Sequence, residues 1–172
     1  MRLRGYIAEV PDFPREGILF YDISPLLADA GAWRAALDEL EAVLTGVKPT
    51  LLVGIESRGF LLAAPLADRL GAGFIMARKA GKLPGATEGR AYDLEYGQER
   101  LELQSGAVKS GDRVALIDDL IATGGTARAA VLLLRGLGAE VACVACLLEL
   151  TELGGRAALE DISAPLHSLI PI

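Results

Sequence analysis

Two adjacent carboxylates and a small loop rich in glycine and threonine stand close together in the second half of the chain. Asp118 and Asp119 follow four apolar residues, Val114 to Ile117, which predict a buried strand. The segment Thr123-Gly-Gly-Thr126 comes next and precedes a helix-forming run. Backbone N–H groups at such a helix start suit a phosphate, and neighbouring carboxylates suit ribose hydroxyls or a phosphate-bound cation. Helix capping alone would explain one carboxylate and one threonine, but not the whole combination.

The elements around this loop alternate between buried strands and helices. Apolar runs predict strands, and apolar positions at helical spacing predict helices, in the order helix 33–44, strand 50–55, helix 60–70, strand 73–77, strand 114–117, helix 126–137 and strand 140–148. This alternation predicts an α/β fold with a mostly parallel twisted sheet flanked by helices. In such sheets ligands bind beyond the carboxyl ends of the strands. The polar pairs that follow three strands, Ser57-Arg58, Arg78-Lys79 and Asp118-Asp119, are therefore expected at one edge.

A basic, glycine-containing segment interrupts the alternation between Arg78 and Arg90. It is predicted to be a long loop, and long loops in compact domains are usually functional. Two short strands, Tyr92 to Tyr96 and Arg100 to Gln104, are predicted to follow it as a pair about Gly97.

Length and composition indicate one globular domain. The chain has 172 residues, of which 52% are hydrophobic and 23% charged, and this composition argues against disorder. A net charge of −6 argues against a general nucleic-acid binder, which needs a basic face. No secretory signal pattern and no apolar run of transmembrane length is visible, so a cytoplasmic protein is expected.

The two cysteines are spaced as C-x-x-C, which by itself suggests redox or zinc chemistry. Cys143 and Cys146 lie inside the apolar run 141–148, where residues three apart on a strand point to opposite faces. Buried free thiols are therefore predicted.

Val114 to Thr126 resembles the phosphoribosyl pyrophosphate (PRPP) motif of the type I phosphoribosyltransferases. Over nearly its whole length the chain is similar to the adenine phosphoribosyltransferase family within that superfamily. Four blocks carry the resemblance: Pro11-Asp-Phe-Pro14 continuing to Leu27, Gly54-Ile-Glu-Ser-Arg-Gly-Phe60, Arg78-Lys-Ala-Gly-Lys-Leu-Pro-Gly85 with Tyr92-Asp-Leu-Glu-Tyr-Gly97, and the PRPP motif. The resemblance implies the type I phosphoribosyltransferase fold as a single domain over residues 1–172, with a small N-terminal hood at about 1–30 and a flexible lid loop at about 78–100.

The resemblance also implies roles for individual residues. The loop that holds the 5′-phosphate of PRPP is matched by Ala122, Thr123, Gly124, Gly125 and Thr126. The ribose hydroxyls are bound by Asp118 and Asp119. The pyrophosphate is met by Arg58, Arg78, Lys79 and Lys82. The base is met by Leu19, Phe20 and Tyr21 of the hood, with Tyr96 near the base or the pyrophosphate and Glu95 assisting proton transfer at N7.

Simpler interpretations of several of these residues stay open. Any one lysine, such as Lys79 or Lys82, is usually a solvated surface charge. By periodicity alone Glu95 lies on the polar face of an alternating strand, and Tyr96 packs on it. Core packing explains Phe13 and Phe20 as well as base binding does.

The activity implied by the resemblance is conversion of adenine and PRPP to AMP and pyrophosphate in purine salvage. Mg²⁺ is the expected cofactor, bound mainly through PRPP and water, and a homodimer is expected with a contact in the region 54–70. Two alternatives differ in class. One is a phosphoribosyltransferase for a 6-oxopurine, against which the block from Pro11 to Leu27 argues. The other is a PRPP or nucleotide sensor without catalysis, against which the lid motifs and the lack of a basic DNA-binding segment argue.

Overall fold

The computed structural model describes residues 2–94 and 97–172, which form two compact units, Met1–Glu39 and Leu40–Ile172. The first unit contains an antiparallel pair of strands, β1 (Ala8–Pro11) and β2 (Leu19–Asp22), a short helix α1 (Ser24–Ala28), and the start of α2 (Ala30–Val47). Pro11, Pro14 and Gly17 fall in or between the two strands, and the peptide bond between Phe13 and Pro14 is cis. The proline-rich start of the chain therefore folds as a hairpin-like pair followed by helices.

The second unit is built on a seven-stranded sheet in the order β5-β6-β4-β3-β7-β8-β9. Its strands and helices run in the order β3 (Leu51–Ile55), α3 (Gly59–Leu70), β4 (Gly73–Lys79), β5 (Thr87–Leu94), β6 (Gly97–Gln104), β7 (Arg113–Ile121), α4 (Gly125–Gly136), β8 (Glu140–Glu149), α5 (Gly155–Glu160) and β9 (Leu166–Pro171). Strands β4, β3, β7, β8 and β9 are parallel neighbours. Strands β5 and β6 form an antiparallel hairpin that joins the sheet through β4. The predicted α/β class with a mostly parallel sheet is confirmed.

Helices cover the sheet on both faces. Val53 and Leu116 share a buried cluster with Ala130 and Leu134 of α4. The adjacent strand residues point the other way, and they too are fully buried, as Leu52 and Ile117 show. On that face α3 packs against β3 and β7 through Leu62, Ala63 and Leu66. Burial on two faces explains why these strands read as continuous apolar runs.

The strand ends differ from the prediction at the edge that matters for function. Strand β7 continues to Ile121, so Asp118 and Asp119 lie within it rather than after it. The ladder with β8 keeps this polar end extended, because Ile121 is still paired with Glu149.

The predicted loop from Arg78 to Arg90 is also shorter than expected. Arg78 and Lys79 end β4 through pairing with β6, and Thr87 begins β5 opposite Gln104. Backbone pairing with β6 overrides a composition rich in charge and glycine, so only residues 80–86 remain between the strands. The predicted set also lacks β9, and helix α2 is longer than predicted at both ends. None of the described helices is long and apolar enough to cross a membrane.

Candidate active site

Three parallel strands bring their polar carboxyl ends to one edge of the sheet. Ile55 of β3 is level with Ala77 of β4, and Gly54 is level with Ile117 of β7, so the residues that follow emerge side by side. A cleft of about 580 Å³ lies there. It is lined by Ile55, Glu56, Ser57, Arg58, Lys79, Lys82, Tyr92, Glu99, Leu101, Asp118, Asp119, Leu120 and Thr126.

A close backbone approach places Arg58 beside the carboxylates. Helix α3 begins at Gly59, where a Cβ would lie 2.6 Å from the carbonyl oxygen of Ile117, so only glycine lets the helix start against β7. The preceding peptide bond between Glu56 and Ser57 is cis. The Arg58 Nε atom lies 3.0 Å from Oδ2 of Asp119. The start of α3 thus delivers a guanidinium group to the end of β7.

The Asp118–Asp119 pair lines the cleft, with Asp119 buried and Asp118 half-buried. Asp119 is buried, and its backbone N–H donates to Oδ1 of Asp118 at 2.9 Å. Burial, reinforced by repulsion from Asp119, raises the pKa of Asp118 well above its usual range. Burial also raises the pKa of Asp119, against the opposing attraction of Arg58. Although Arg58 is near, Oδ2 of Asp119 accepts no well-formed hydrogen bond from the residues described. The carboxylate oxygens of the pair can therefore accept hydrogen bonds from hydroxyl groups or bind a cation.

The predicted phosphate loop forms a second, smaller pocket next to the cleft. This pocket has a volume of about 220 Å³ and shares Asp118, Leu120 and Thr126 with the cleft. Its lining includes Ala122, Thr123, Gly124 and Gly125, which lead into α4. No side chain caps the start of α4 by a hydrogen bond. Backbone N–H groups at a helix start combine with the helix dipole to bind phosphate, so the pocket suits a phosphate ester beside the carboxylate pair.

The four basic residues of the prediction are engaged by carboxylates. Glu56 accepts hydrogen bonds from Arg78 Nη2 at 3.2 Å and from Lys82 Nζ at 2.9 Å. The same carboxylate accepts one from the backbone N–H of Lys79 at 2.9 Å. Glu99 of β6 accepts a hydrogen bond from Lys79 Nζ at 2.7 Å, and Arg58 faces Asp119. Arg58, Lys79 and Lys82 thus line the cleft, where they are suited to a polyanion, whereas Arg78 contacts Glu56 but is absent from the lining.

Comparison with known proteins assigns this arrangement to a family. The phosphoribosyl transferase domain family matches residues 22–164. Adenine phosphoribosyltransferase from Acidiphilium cryptum is 55% identical over 170 residues, which cover 99% of this chain and 98% of the relative. The chain belongs to the adenine phosphoribosyltransferase family.

Solved structures of the family share the fold. The crystal structure of adenine phosphoribosyltransferase from Thermoanaerobacter pseudethanolicus has a TM-score of 0.95 and 46% identity, covering 99% of this chain and 98% of that one. The enzyme from Trypanosoma brucei, in complex with AMP, pyrophosphate and ribose-5-phosphate, has a TM-score of 0.90 and 28% identity, covering 99% of this chain and 78% of that one.

The hood residues of this adenine phosphoribosyltransferase family member lie on β2. Leu19 is exposed, the ring of Phe20 packs edge-on against Phe13 at 5.1 Å, and the guanidinium of Arg4 lies 5.7 Å from the ring centre of Tyr21. Phe13 is itself 50% exposed, so this aromatic pair is not a core contact. All of these residues belong to the N-terminal unit. Glu95 and Tyr96 lie outside the described residues, and their predicted roles stay predictions.

Three cleft residues were missed by sequence reasoning. Glu56 and Glu99 organise the basic side chains, and the hydroxyl of Tyr92 donates to Oε2 of Glu99 at 2.8 Å. Tyr92 also forms a side-chain hydrogen bond with Thr126, and burial raises the pKa of its hydroxyl. Glu56 precedes Ser57-Arg58 within a block already singled out, so its position was a usable signal. Tyr92 likewise opens a block already singled out, whereas Glu99 had no such signal, because only the pairing of β5 with β6 sets it opposite Tyr92.

The charge state of Glu56 leads to a testable prediction about stability. Burial alone would raise the pKa of Glu56, but hydrogen bonds from Lys82 and Arg78 outweigh it and lower the pKa to about 2. Because the pKa of Glu56 is lower in the folded state than in the unfolded state, its ionised carboxylate stabilises the fold at pH values above 4.5. This stabilisation is lost as the pH falls from 4.5 towards 2. Glu56→Gln should therefore lower the free energy of unfolding at pH 7 by roughly 1–3 kcal/mol. The difference from the parent should shrink below pH 4.5.

Urea denaturation measures this effect when it is repeated between pH 7 and pH 3.5 in steps of about 0.5 pH unit. The matched control is Glu41→Gln, which removes a carboxylate that pairs with Arg69 on the surface. Exposed pairs are worth at most about 1 kcal/mol, so the control should change little. An equal loss in both variants, or a loss at Glu56 that does not depend on pH, would contradict the assignment.

The cysteines take no part in the site. Cys143 and Cys146 are buried free thiols on β8, as predicted. Burial raises the pKa of Cys143 to about 11 and raises that of Cys146 further above its usual range, so neither is a thiolate at neutral pH.

Proposed function

We propose that this protein transfers the phosphoribosyl group of PRPP to adenine, forming AMP and pyrophosphate. The observation that carries the proposal is that the phosphate pocket and the cleft share Asp118, so the carboxylate pair borders both the phosphate loop and the cleft that Arg58, Lys79 and Lys82 line. PRPP consists of a phosphate, a ribose and a pyrophosphate, and the site offers groups suited to each of the three. Membership in the adenine phosphoribosyltransferase family supplies the identity of the acceptor base.

In the proposed reaction the bond between C1′ and the pyrophosphate oxygen breaks, and a bond between adenine N9 and C1′ forms. Pyrophosphate leaves with the bonding electron pair, and Arg58, Arg78, Lys79 and Lys82 stabilise its charge. Asp118 and Asp119 hold the ribose hydroxyls and oppose the positive charge that develops at C1′. Adenine loses one proton overall, and Glu95 is the group proposed to handle a base proton at N7.

The roles of the phosphate pocket and the hood complete the proposal. The loop made by Ala122, Thr123, Gly124, Gly125 and Thr126 holds the 5′-phosphate through its backbone N–H groups and hydroxyls. Leu19, Phe20 and Tyr21 bind the base, with Tyr96 near the base or the pyrophosphate. β1 and β2 form a two-stranded sheet, and the proposal is that backbone groups of β2 outside this pairing read an adenine edge. The hood at about 1–30 and the lid at about 78–100 are proposed as parts of one catalytic domain.

Mg²⁺ fits the residues of the site. Oδ2 of Asp119 is a buried carboxylate oxygen that accepts no hydrogen bond within the described part of the chain, and Mg²⁺ prefers carboxylate, phosphate and water oxygens. Asp118 and Asp119 are the residues that would meet the ion, which is held mainly by PRPP and water. When bound, the ion would neutralise part of the negative charge of the pyrophosphate.

A homodimer is proposed with a contact in the region 54–70. Leu61 of α3 is 45% exposed and Met76 of β4 is 39% exposed, so each offers apolar surface to a partner. Contact with a second copy of the chain would remove these side chains from water.

Product analysis tests the proposed function. The protein is incubated with PRPP, Mg²⁺ and, in separate reactions, adenine, hypoxanthine or xanthine, and the nucleotide formed is identified. AMP from adenine alone is the expected result. A product from a 6-oxopurine alone would assign the alternative enzyme, and tight PRPP binding without any product would assign a sensor.

A further inference from the structure

The phosphate pocket is backed by a segment that the proposed mechanism does not use. Gly124, which has a φ of +81°, packs against Gly155 so closely that a Cβ on Gly124 would lie 2.9 Å from the Gly155 carbonyl oxygen. Conversely, a Cβ on Gly155 would lie 2.4 Å from the carbonyl oxygen of Ala122 and 2.6 Å from Cγ2 of Ile121. The φ of Gly155 lies outside the left-handed region, so close packing rather than backbone conformation requires glycine at this position. The loop and the start of α5 therefore touch backbone to backbone.

An ion pair between the exposed Arg156 and the buried Glu149 fixes α5 in this position. Arg156, next to Gly155, donates from Nε to Oε1 of Glu149 at 2.8 Å and from Nη2 to Oε2 at 2.5 Å. Its Nη1 atom donates to the carbonyl oxygen of Leu166 at 2.9 Å, and the hydroxyl of Ser168 donates to Oε2 of Glu149 at 2.5 Å. Glu149 is only 3% exposed, and these hydrogen bonds lower the pKa of its carboxyl. The two-pronged guanidinium–carboxylate geometry ties α5 to β8 and β9 with a defined orientation.

The same segment is joined to the strand that carries the carboxylate pair. The backbone N–H of Leu150 donates to the carbonyl oxygen of Ile121 at 2.9 Å. Arg128 of α4 donates to the carbonyl oxygen of Ala158 at 2.9 Å and to Asp161 at 2.8 Å. The phosphate loop connects Ile121 to α4, so both of its ends are tied by hydrogen bonds to the part of the chain from Leu150 to Asp161.

We propose that Gly155 and Arg156 are positioning residues for the 5′-phosphate: Arg156, held by Glu149, fixes α5, and Gly155 sets the backbone of the loop from Ala122 to Gly124. This inference rests on the proposed function. Neither residue touches the phosphate, and both act through the orientation of the loop N–H groups. A displacement of about 1 Å in such a loop lowers binding or rate by up to about 100-fold.

The first test is Gly155→Ala, with Gly136→Ala as the matched control. Gly136 is the last residue of α4, the helix that directly follows the phosphate loop. A Cβ on Gly136 would meet nothing within 4 Å. Gly155→Ala should raise KM for PRPP in steady-state assays by at least about tenfold. It should raise the Kd for AMP, measured by calorimetry, by at least about tenfold as well. KM for adenine should stay within about twofold, because adenine carries no phosphate. Gly136→Ala should leave all three constants unchanged.

A second variant keeps the proposal testable if Gly155→Ala does not fold. Arg156→Lys keeps the positive charge but loses the two-pronged contact with Glu149. It should raise the Kd for AMP several-fold, with KM for adenine again unchanged. A folded variant with AMP binding equal to the parent, or a loss of stability without a change in that Kd, would overturn the proposal. A parent protein that binds no AMP would instead overturn the proposed function, so the two failures are distinguishable.

Discussion

The double variant Asp118→Asn with Asp119→Asn is expected to lose almost all turnover while keeping its fold. Asparagine keeps the shape of the side chains but removes the negative charge that opposes the positive charge at C1′. Loss of one such preorganised interaction lowers kcat by about 100- to 1000-fold, so loss of both should lower kcat/KM by at least about 1000-fold. Steady-state assays of AMP formation from PRPP and adenine measure the effect.

The stability of this variant separates a catalytic role from a structural one. Burial raises the pKa of both carboxyls, so the folded state loses stability as the pH rises through those values. The neutral amides avoid that loss, while the missing contact with Arg58, whose side chain is 36% exposed, is worth at most about 1 kcal/mol. The free energy of unfolding at pH 8 should therefore be equal to that of the parent or higher.

A control at the other end of β7 makes the comparison sharp. Glu140→Gln removes a carboxylate that pairs with Arg113, the first residue of the strand that carries Asp118 and Asp119. Activity of this control should equal that of the parent. Near-normal turnover in the double variant would contradict the proposal that Asp118 and Asp119 bind the ribose.

Glu95→Ala is expected to lower kcat much more than it weakens PRPP binding. General acid–base groups contribute about 100- to 10,000-fold to a rate, and removal of one leaves contacts with the donor substrate intact. Steady-state kinetics with both substrates, together with PRPP binding measured by calorimetry, separate the two effects. Glu95→Gln should lose as much activity as Glu95→Ala, because an amide does not exchange a proton at neutral pH.

The control for this prediction is a glutamate that comes earlier in the chain, on β5. Glu88 of β5 accepts a hydrogen bond from the Ser105 hydroxyl at 3.3 Å and is absent from the cleft lining. Glu88→Gln should leave kcat unchanged. An unchanged kcat in Glu95→Ala would contradict the proposed role in proton transfer and favour the simpler interpretation, in which Glu95 is a solvated polar residue.

Local signals in the chain were enough for the fold class and for most of the cleft. Apolar runs predicted the central strands, and apolar positions at helical spacing predicted the end of α3 at residue 70 correctly. Because carboxyl ends of parallel strands meet at one edge, the pattern also predicted that the pairs Ser57-Arg58, Arg78-Lys79 and Asp118-Asp119 would lie together, and all of these residues except Arg78 line the cleft. These features depend on residues close in sequence, or on a rule of sheet topology that needs no further information.

Strand ends and side-chain partners were not predictable in the same way. The extension of β7 through Asp118 and Asp119 depends on β8, and the extension of β4 through Lys79 depends on β6. Charged residues at a strand end are extended only when a neighbouring strand pairs with them, and the neighbour is distant in sequence. The same applies to Glu99, which reaches Lys79 from β6, and to Glu56, whose charge state is set by Arg78 and Lys82.

By itself the sequence of this protein determined which chemical groups are available: a phosphate loop, a carboxylate pair, a set of basic residues and an apolar sheet to carry them. Only the tertiary structure decided how those groups are held. It paired Arg78, Lys79 and Lys82 with Glu56 and Glu99, buried Asp119, and packed Gly155 against the phosphate loop. The reason is physical, because periodicity and turn chemistry act over a few residues, whereas pKa values and close packing depend on partners 20 or more residues away.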